Sequence, residues 1–160
     1  MIKGLHHNAY RCRDSEETRK FYEDFLGLPL LHAFEIETTI TGRPSKVLHS
    51  FFQMEDGSFL AFFEEPDAPF EFKDQRDFDL HIALEVSHDE LLAMKMKGEE
   101  AGIETRGISD HGFIHSIYFR DPNGYVIELT ARIEETERRV FNAEHAGEVL
   151  ERWQASKKSR

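Results

Sequence analysis

Two histidines and one glutamate, His7, His81 and Glu128, stand out in the sequence as a set able to hold a divalent cation. Imidazole nitrogen and carboxylate oxygen together suit Fe, Mn, Ni or Zn. Two histidines with one carboxylate leave positions open for substrate and oxygen, the pattern of a non-haem site in which Fe(II) leads. Each residue falls on a candidate strand. Leu80, Ile82, Leu84 and Val86 alternate with Asp79, His81, Ala83 and Glu85, so His81 points away from the apolar set. Glu128 likewise alternates with Ile127, Leu129 and Ala131. In the opening strand alternation does not choose between His6 and His7. His7 is taken because it precedes its capping Asp14 by nearly the interval that separates His81 from Ser87.

These side chains are positioned by a repeated order of elements. A strand from about Leu5 to Cys12 meets a capping pattern at Asp14 and Glu17, which opens a helix over about Ser15 to Leu26 with Phe21, Tyr22, Phe25 and Leu26 as its buried stripe. Gly27 stops that helix. Strands follow at about Leu30 to Thr39, Val47 to Met54 and Phe59 to Glu64, the last two joined at Asp56-Gly57. Pro66 to Asp77 reads as a connection. The order then restarts: a strand Leu80 to Val86, a capping box at Ser87 and Glu90, a helix ended by Gly102, and strands at about Ile103 to Ile108, Phe113 to Phe119 and Tyr125 to Ala131. The fold class expected is therefore α+β, two βαβββ modules at residues 3–65 and 79–131 with a linker at 66–78. One helix per module leaves a sheet face uncovered, and two such modules can enclose a shared cleft. Residues 132–160 form a C-terminal segment in which one polar helix is expected from Glu134 to about Trp153, with Lys157, Lys158 and Arg160 as a solvated tail.

Composition narrows the partners. The chain of 160 residues is 39% hydrophobic with 14 Phe, enough for a core without disulfide staples. A single cysteine, Cys12, rules out an internal disulfide and a Cys-built zinc site. Asp and Glu number 31 against 20 Lys and Arg, a formal charge of -11 that opposes phosphate binding, so nucleic acid is not expected. No apolar run approaches the ~20 residues of a spanning helix, and the opening residues lack a basic-then-apolar leader pattern. A cytoplasmic protein without a membrane partner is the expectation.

The opening strand with His7, followed by Phe21-Tyr22-Glu23-Asp24-Phe25-Leu26-Gly27-Leu28, then His81-Ile82-Ala83, and finally Tyr118-Phe119-Arg120-Asp121-Pro122-Asn123-Gly124-Tyr125-Val126-Ile127-Glu128, resembles the vicinal oxygen chelate superfamily over about Lys3 to Arg132. That superfamily includes glyoxalase I, bleomycin- and fosfomycin-resistance proteins, methylmalonyl-CoA epimerase and extradiol dioxygenases. The resemblance implies half-barrel sheets cupping a divalent metal that chelates vicinal oxygens of a small-molecule substrate, and a possible homodimer. The first-half slot equivalent to Glu128 falls at Ala61 or Phe62, which resembles the three-ligand members. The stretch from His111 through Ile117-Tyr118 and Asp121-Pro122-Asn123-Gly124 to Glu128 is similar to the extradiol signature, which implies that His111 and Tyr118 hydrogen-bond substrate or oxygen. It departs from that signature at Ser109, and Ser58 to Phe62 lacks the acid-base histidine of the ring-cleaving enzymes.

The leading expectation is an Fe(II)-dependent dioxygenase of a catechol-like aromatic, with Phe51, Phe52, Phe59, Phe62 and Phe63 as an aromatic wall and His49 as a possible acid-base substitute. A lyase or isomerase of the glyoxalase or epimerase kind, with Glu64 as base, and a metal-free small-molecule binding protein are the alternatives.

Overall fold

A computed structural model describes residues 1–157, position 138 through its backbone only. Lys158 and Arg160 of the expected tail lie outside these residues.

Two four-stranded sheets share one strand order. The first contains β1 (His7–Cys12), β2 (Leu30–Thr38), β3 (Pro44–Gln53) and β4 (Phe59–Glu64) in the order β1-β4-β3-β2. The second contains β5 (Ile82–Glu85), β6 (Thr105–Asp110), β7 (Ile114–Arg120) and β8 (Val126–Arg132) in the order β5-β8-β7-β6. In the first sheet β1 runs parallel to β4 and the remaining neighbours are antiparallel. The fold is α+β, and the element order anticipated for each half is present. The chain divides into two compact units, Met1–Ile82 with Phe119–Ile127, and Ala83–Tyr118 with the chain from Glu128 onward.

In the first unit, α1 (Ser15–Arg19) is capped by Asp14, whose Oδ1 accepts the Glu17 N–H at 2.8 Å. The expected single helix to Leu26 changes register after one turn and continues as a π-helical segment over Lys20–Phe25. Five-residue spacing, closed by Leu26 N–H to Phe21 O at 2.9 Å, still turns Phe21, Tyr22 and Phe25 inward. Their rings meet alternate residues of the sheet: Tyr22 lies 4.6 Å from Phe62 and 5.7 Å from Phe52 between ring centroids. Leu60, Phe62 and Phe52 are essentially sealed, each worth roughly 1.5–3 kcal/mol of burial. Cys12 is also buried here, and desolvation pushes its thiol up to about 11.

The Asp121–Tyr125 turn belongs to this unit. Asp121 is buried and accepts the Tyr22 hydroxyl at 2.9 Å, the N–H groups of Asn123 and Tyr125, and the Asn123 side-chain amide. Burial raises its pKa while these donors act in the opposite direction. The segment before β5 is laid across the turn by Lys73 N–H to Asn123 O at 2.9 Å and Gln75 N–H to Gly124 O at 3.0 Å. Gly124, at φ +93°, admits this crossing because a Cβ there would sit 2.7 Å from the backbone nitrogens of Lys73 and Asp74.

In the second unit, α2 (His88–Glu100) begins with the full reciprocal capping box of Ser87 and Glu90. The expected C-terminal helix is two helices, α3 (Glu134–Val140) and α4 (Ala143–Lys157). Asn142 divides them, its Oδ1 accepting the His145 N–H at 3.0 Å as a new N-cap. Among the described residues no helix is long and apolar enough to cross a membrane.

Replacing Tyr22 by Phe keeps the ring packing and removes one donor from buried Asp121. A loss of about 1–3 kcal/mol is expected by urea denaturation with an unchanged m-value.

Candidate functional site

The β7–β8 hairpin sets the geometry of the site in the second unit. Asp121 N–H donates to Tyr125 O at 3.0 Å, which pairs these two positions across the hairpin. Three residues outward on each strand, Tyr118 stands opposite Glu128, and two further, Ser116 stands opposite Thr130. The side chains agree: Tyr118 Oη donates to Glu128 Oε1 at 3.3 Å and Ser116 Oγ lies 3.5 Å from Thr130 Oγ1. Glu128 is only 4% exposed, so this carboxylate sits where a cation or hydrogen-bond donors must offset its lost hydration.

His111 joins the line from a tight turn. Its N–H donates to Ile114 O, and Asp110 Oδ1 accepts the Gly112 N–H at 2.7 Å. This turn holds His111 Nε2 3.0 Å from Tyr118 Oη. Since the single hydroxyl proton of Tyr118 is directed at Glu128, the proton between His111 and Tyr118 belongs to His111 Nε2. The result is a directed series, His111 N–H to Tyr118 O, then Tyr118 O–H to Glu128, leading from an exposed imidazole to a buried carboxylate. The Arg106 guanidinium lies 5.3 Å from the centroid of the Tyr118 ring, a cation–π contact with no signature in the sequence.

The first unit carries His7 and His81. His7 stands opposite Phe59 on β1, its ring 5.5 Å from Phe51 and 6.4 Å from His49, with Nδ1 2.8 Å from Nδ1 of His6. His81, expected within the strand Leu80 to Val86, lies instead just ahead of β5, where Leu80 is still exposed. Its Nδ1 lies 2.7 Å from Asp77 O and donates to it, which places the ring's lone pair on Nε2. An imidazole oriented in this way by a backbone carbonyl is the arrangement metal-binding histidines adopt.

Other expected residues take different positions. Glu64 Oε2 accepts the Ser15 N–H at 2.7 Å, so this carboxylate is engaged at the start of α1 on the helix-packed face. Ala61, in the slot equivalent to Glu128, supplies no ligand. Phe52 and Phe62 are core residues, whereas Phe51, Phe59 and Phe63 occupy the sheet's other face, joined there by Phe34. His49 is buried among them, 3.7 Å from the Phe63 ring and 4.2 Å from Phe51 between centroids, with Nδ1 bonded to Phe62 O at 3.0 Å. Thus the structure unites His111, Tyr118 and Glu128, and groups His7 with His49 and the phenylalanines. Among the described residues no three His, Cys, Asp or Glu side chains form a group that could hold a metal ion. The donors themselves fit a divalent ion in kind: two imidazoles and a buried carboxylate.

Comparison with known proteins places the chain. Residues 4–129 match the Glyoxalase/Bleomycin resistance protein/Dioxygenase superfamily, and the chain belongs to that superfamily. It is similar to metallothiol transferase FosB of Shouchella clausii (strain KSM-K16), at 26% identity over 134 residues, 81% of this chain and 80% of that protein. Its fold is shared with a glyoxylase/bleomycin resistance protein/dioxygenase domain from Frankia sp. EAN1pec, at TM-score 0.68 and 17% identity, covering 82% of this chain and 99% of that one. It is also shared with the fosfomycin resistance protein FosX of Listeria monocytogenes complexed with Mn(II) and sulfate, at TM-score 0.66 and 19% identity, covering 89% of this chain and all (100%) of that one.

Burial holds the His49 pKa below its ordinary 6.5, with repulsion from His7 and His32 acting in the same direction. The unfolded chain therefore binds the extra proton first, and stability falls as pH drops through the ordinary imidazole range. Urea denaturation from about pH 8 to about pH 5.5 is expected to show this loss in the wild type and a flatter profile in His49→Asn.

Proposed function

We propose that this chain is a divalent-metal-dependent enzyme that binds a small catechol-like aromatic through two adjacent oxygens and cleaves its ring with oxygen. The observation that carries the reading is the His111–Tyr118–Glu128 series, which couples an exposed imidazole to a buried carboxylate through one phenol. The aromatic face formed by Phe51, Phe59 and Phe63 supports an aromatic substrate over a purely polar one.

His7, His81 and Glu128 would hold the ion, with Fe(II) ahead of Mn, Ni or Zn. When bound, a divalent ion supplies Lewis acidity that lowers the pKa of substrate hydroxyls. The protein's own part is proton handling and orientation. His81 keeps Nε2 forward by donating Nδ1–H to Asp77 O. Tyr118 Oη is held by His111 Nε2–H, so with Glu128 engaged by the ion its hydroxyl proton would turn from Glu128 to a substrate oxygen within reach. His111 is exposed, and returns the proton to Tyr118 Oη from solvent. The phenylalanine face orients the substrate ring and excludes water.

A second reading, metal-assisted addition to a small phosphonate, is favoured by the similarity to metallothiol transferase FosB over most of both chains, together with the fold shared with a FosX complexed with Mn(II) and a dihydroxypropylphosphonic acid. Anaerobic titration of metal-free protein with Fe(II) and with Mn(II) is expected to give about one ion per chain, weakened about tenfold or more in His81→Ala. Oxygen uptake with catechols is expected from the Fe(II) protein, reduced by about 100-fold in Tyr118→Phe at unchanged metal content. Consumption of fosfomycin in phosphorus NMR without any oxygen uptake transfers the assignment to the second reading. Absence of metal binding overturns both in favour of a metal-free binding protein.

A further inference from the structure

The first unit contains a cavity of about 360 Å³ at the β2–β3 hairpin end of the sheet, lined by none of the proposed metal ligands or proton-handling residues. Ile36, Val47 and Phe63 line it with apolar surface, while the hydroxyls of Thr38, Thr39 and Ser45 and two guanidinium groups, Arg11 and Arg43, supply donors. Its volume is that of a small-molecule site.

The charges within it do not cancel. Arg11 Nη1 donates to Glu65 Oε2 at 3.0 Å, and its Nη2 lies 3.4 Å from the carbonyl oxygens of Glu65 and Ala68. Its Nε is buried with no hydrogen-bond partner among the described residues. Arg43 reaches Glu65 only at 4.0 Å, and its side chain is 71% exposed. Two cations against one carboxylate leave the cavity one positive charge, in a chain whose formal charge is -11. A second ligand charge would meet Glu65 unopposed, and a cation would meet Arg43. A neutral apolar molecule would leave Arg43 with no carboxylate nearer than Glu65 at 4.0 Å.

We propose that this cavity binds a small organic monocarboxylate, its apolar body on Ile36, Val47 and Phe63 and its carboxylate paired with Arg43. Its lining shares Phe63 with the aromatic face but contains none of His7, His81, His111, Tyr118 and Glu128, so binding here does not require the metal. Metal-free protein therefore binds the ligand as metal-loaded protein does.

Isothermal titration of metal-free and metal-loaded protein with phenylbutyrate, its neutral counterpart phenylbutanol and inorganic phosphate tests this. Phenylbutyrate is expected to bind about tenfold or more tightly than phenylbutanol or phosphate, to weaken with added salt, and to lose about tenfold in Arg43→Gln. Arg43 is exposed on the hairpin, so that variant retains the fold, which circular dichroism verifies. Amide shifts of Ile36, Val47 and Phe63 on titration locate the ligand. Equal affinity for acid and alcohol, phosphate bound as tightly as the acid, an unchanged Arg43→Gln, shifts confined to other residues, or no saturable binding of phenylbutyrate each overturns the proposal. Loss of metal binding or turnover with phenylbutyrate binding intact would reject the enzyme reading alone.

Discussion

The side chain of Asp121 is the constraint on which the candidate chemistry depends. A carboxylate taken out of water is costly unless its lone pairs are filled, and here Tyr22, Asn123 and Tyr125 fill them. Satisfying that one group closes the Asp121–Tyr125 turn in a single register. The register in turn decides that Tyr118 faces Glu128. A slip of one residue would place the phenol on the opposite face of the sheet from the carboxylate it serves. Asn123 extends the same network, its Oδ1 accepting the Arg13 N–H at 2.8 Å ahead of α1.

Much of this architecture could be read from local signals. Capping residues at Asp14 and Ser87 and turn glycines at Gly57 and Gly124 act over a few residues, so the order of elements in both halves was legible. The misreadings arose where non-local packing decides. A stripe of Phe21, Tyr22 and Phe25 is compatible with helical and with π spacing, and only the sheet residues Phe52 and Phe62 beneath it select the latter. Leu80 continues the alternation of β5 in sequence, yet pairing begins at Ile82. In the C-terminal segment apolar residues on both sides of Asn142 suggested continuity, while the capping preference of that asparagine divided the helices.

The candidate site was legible to a similar depth. Strand alternation put Tyr118 with Ser116, and Glu128 with Thr130, correctly. The direction of the hydrogen bonds was not legible, because it follows from Tyr118 having one proton to place between His111 and Glu128. His49 illustrates a different limit. Its facing with Val47 and Phe51 could be anticipated, but its enclosure depends on Phe34 and Phe63 arriving from adjacent strands. Glu64 shows the reverse case, a carboxylate at a suggestive position whose lone pair is taken by the Ser15 N–H.

The burial of Cys12 carries a consequence for the transfer chemistry of similar proteins. A thiol held near 11 is almost wholly protonated at neutral pH, and sulfur attacks electrophiles as the thiolate. With no second cysteine in the chain, no sulfur nucleophile is built into this scaffold. Any sulfur that reacts here must arrive on a diffusible molecule, and reagents that modify accessible cysteines should leave the folded protein untouched.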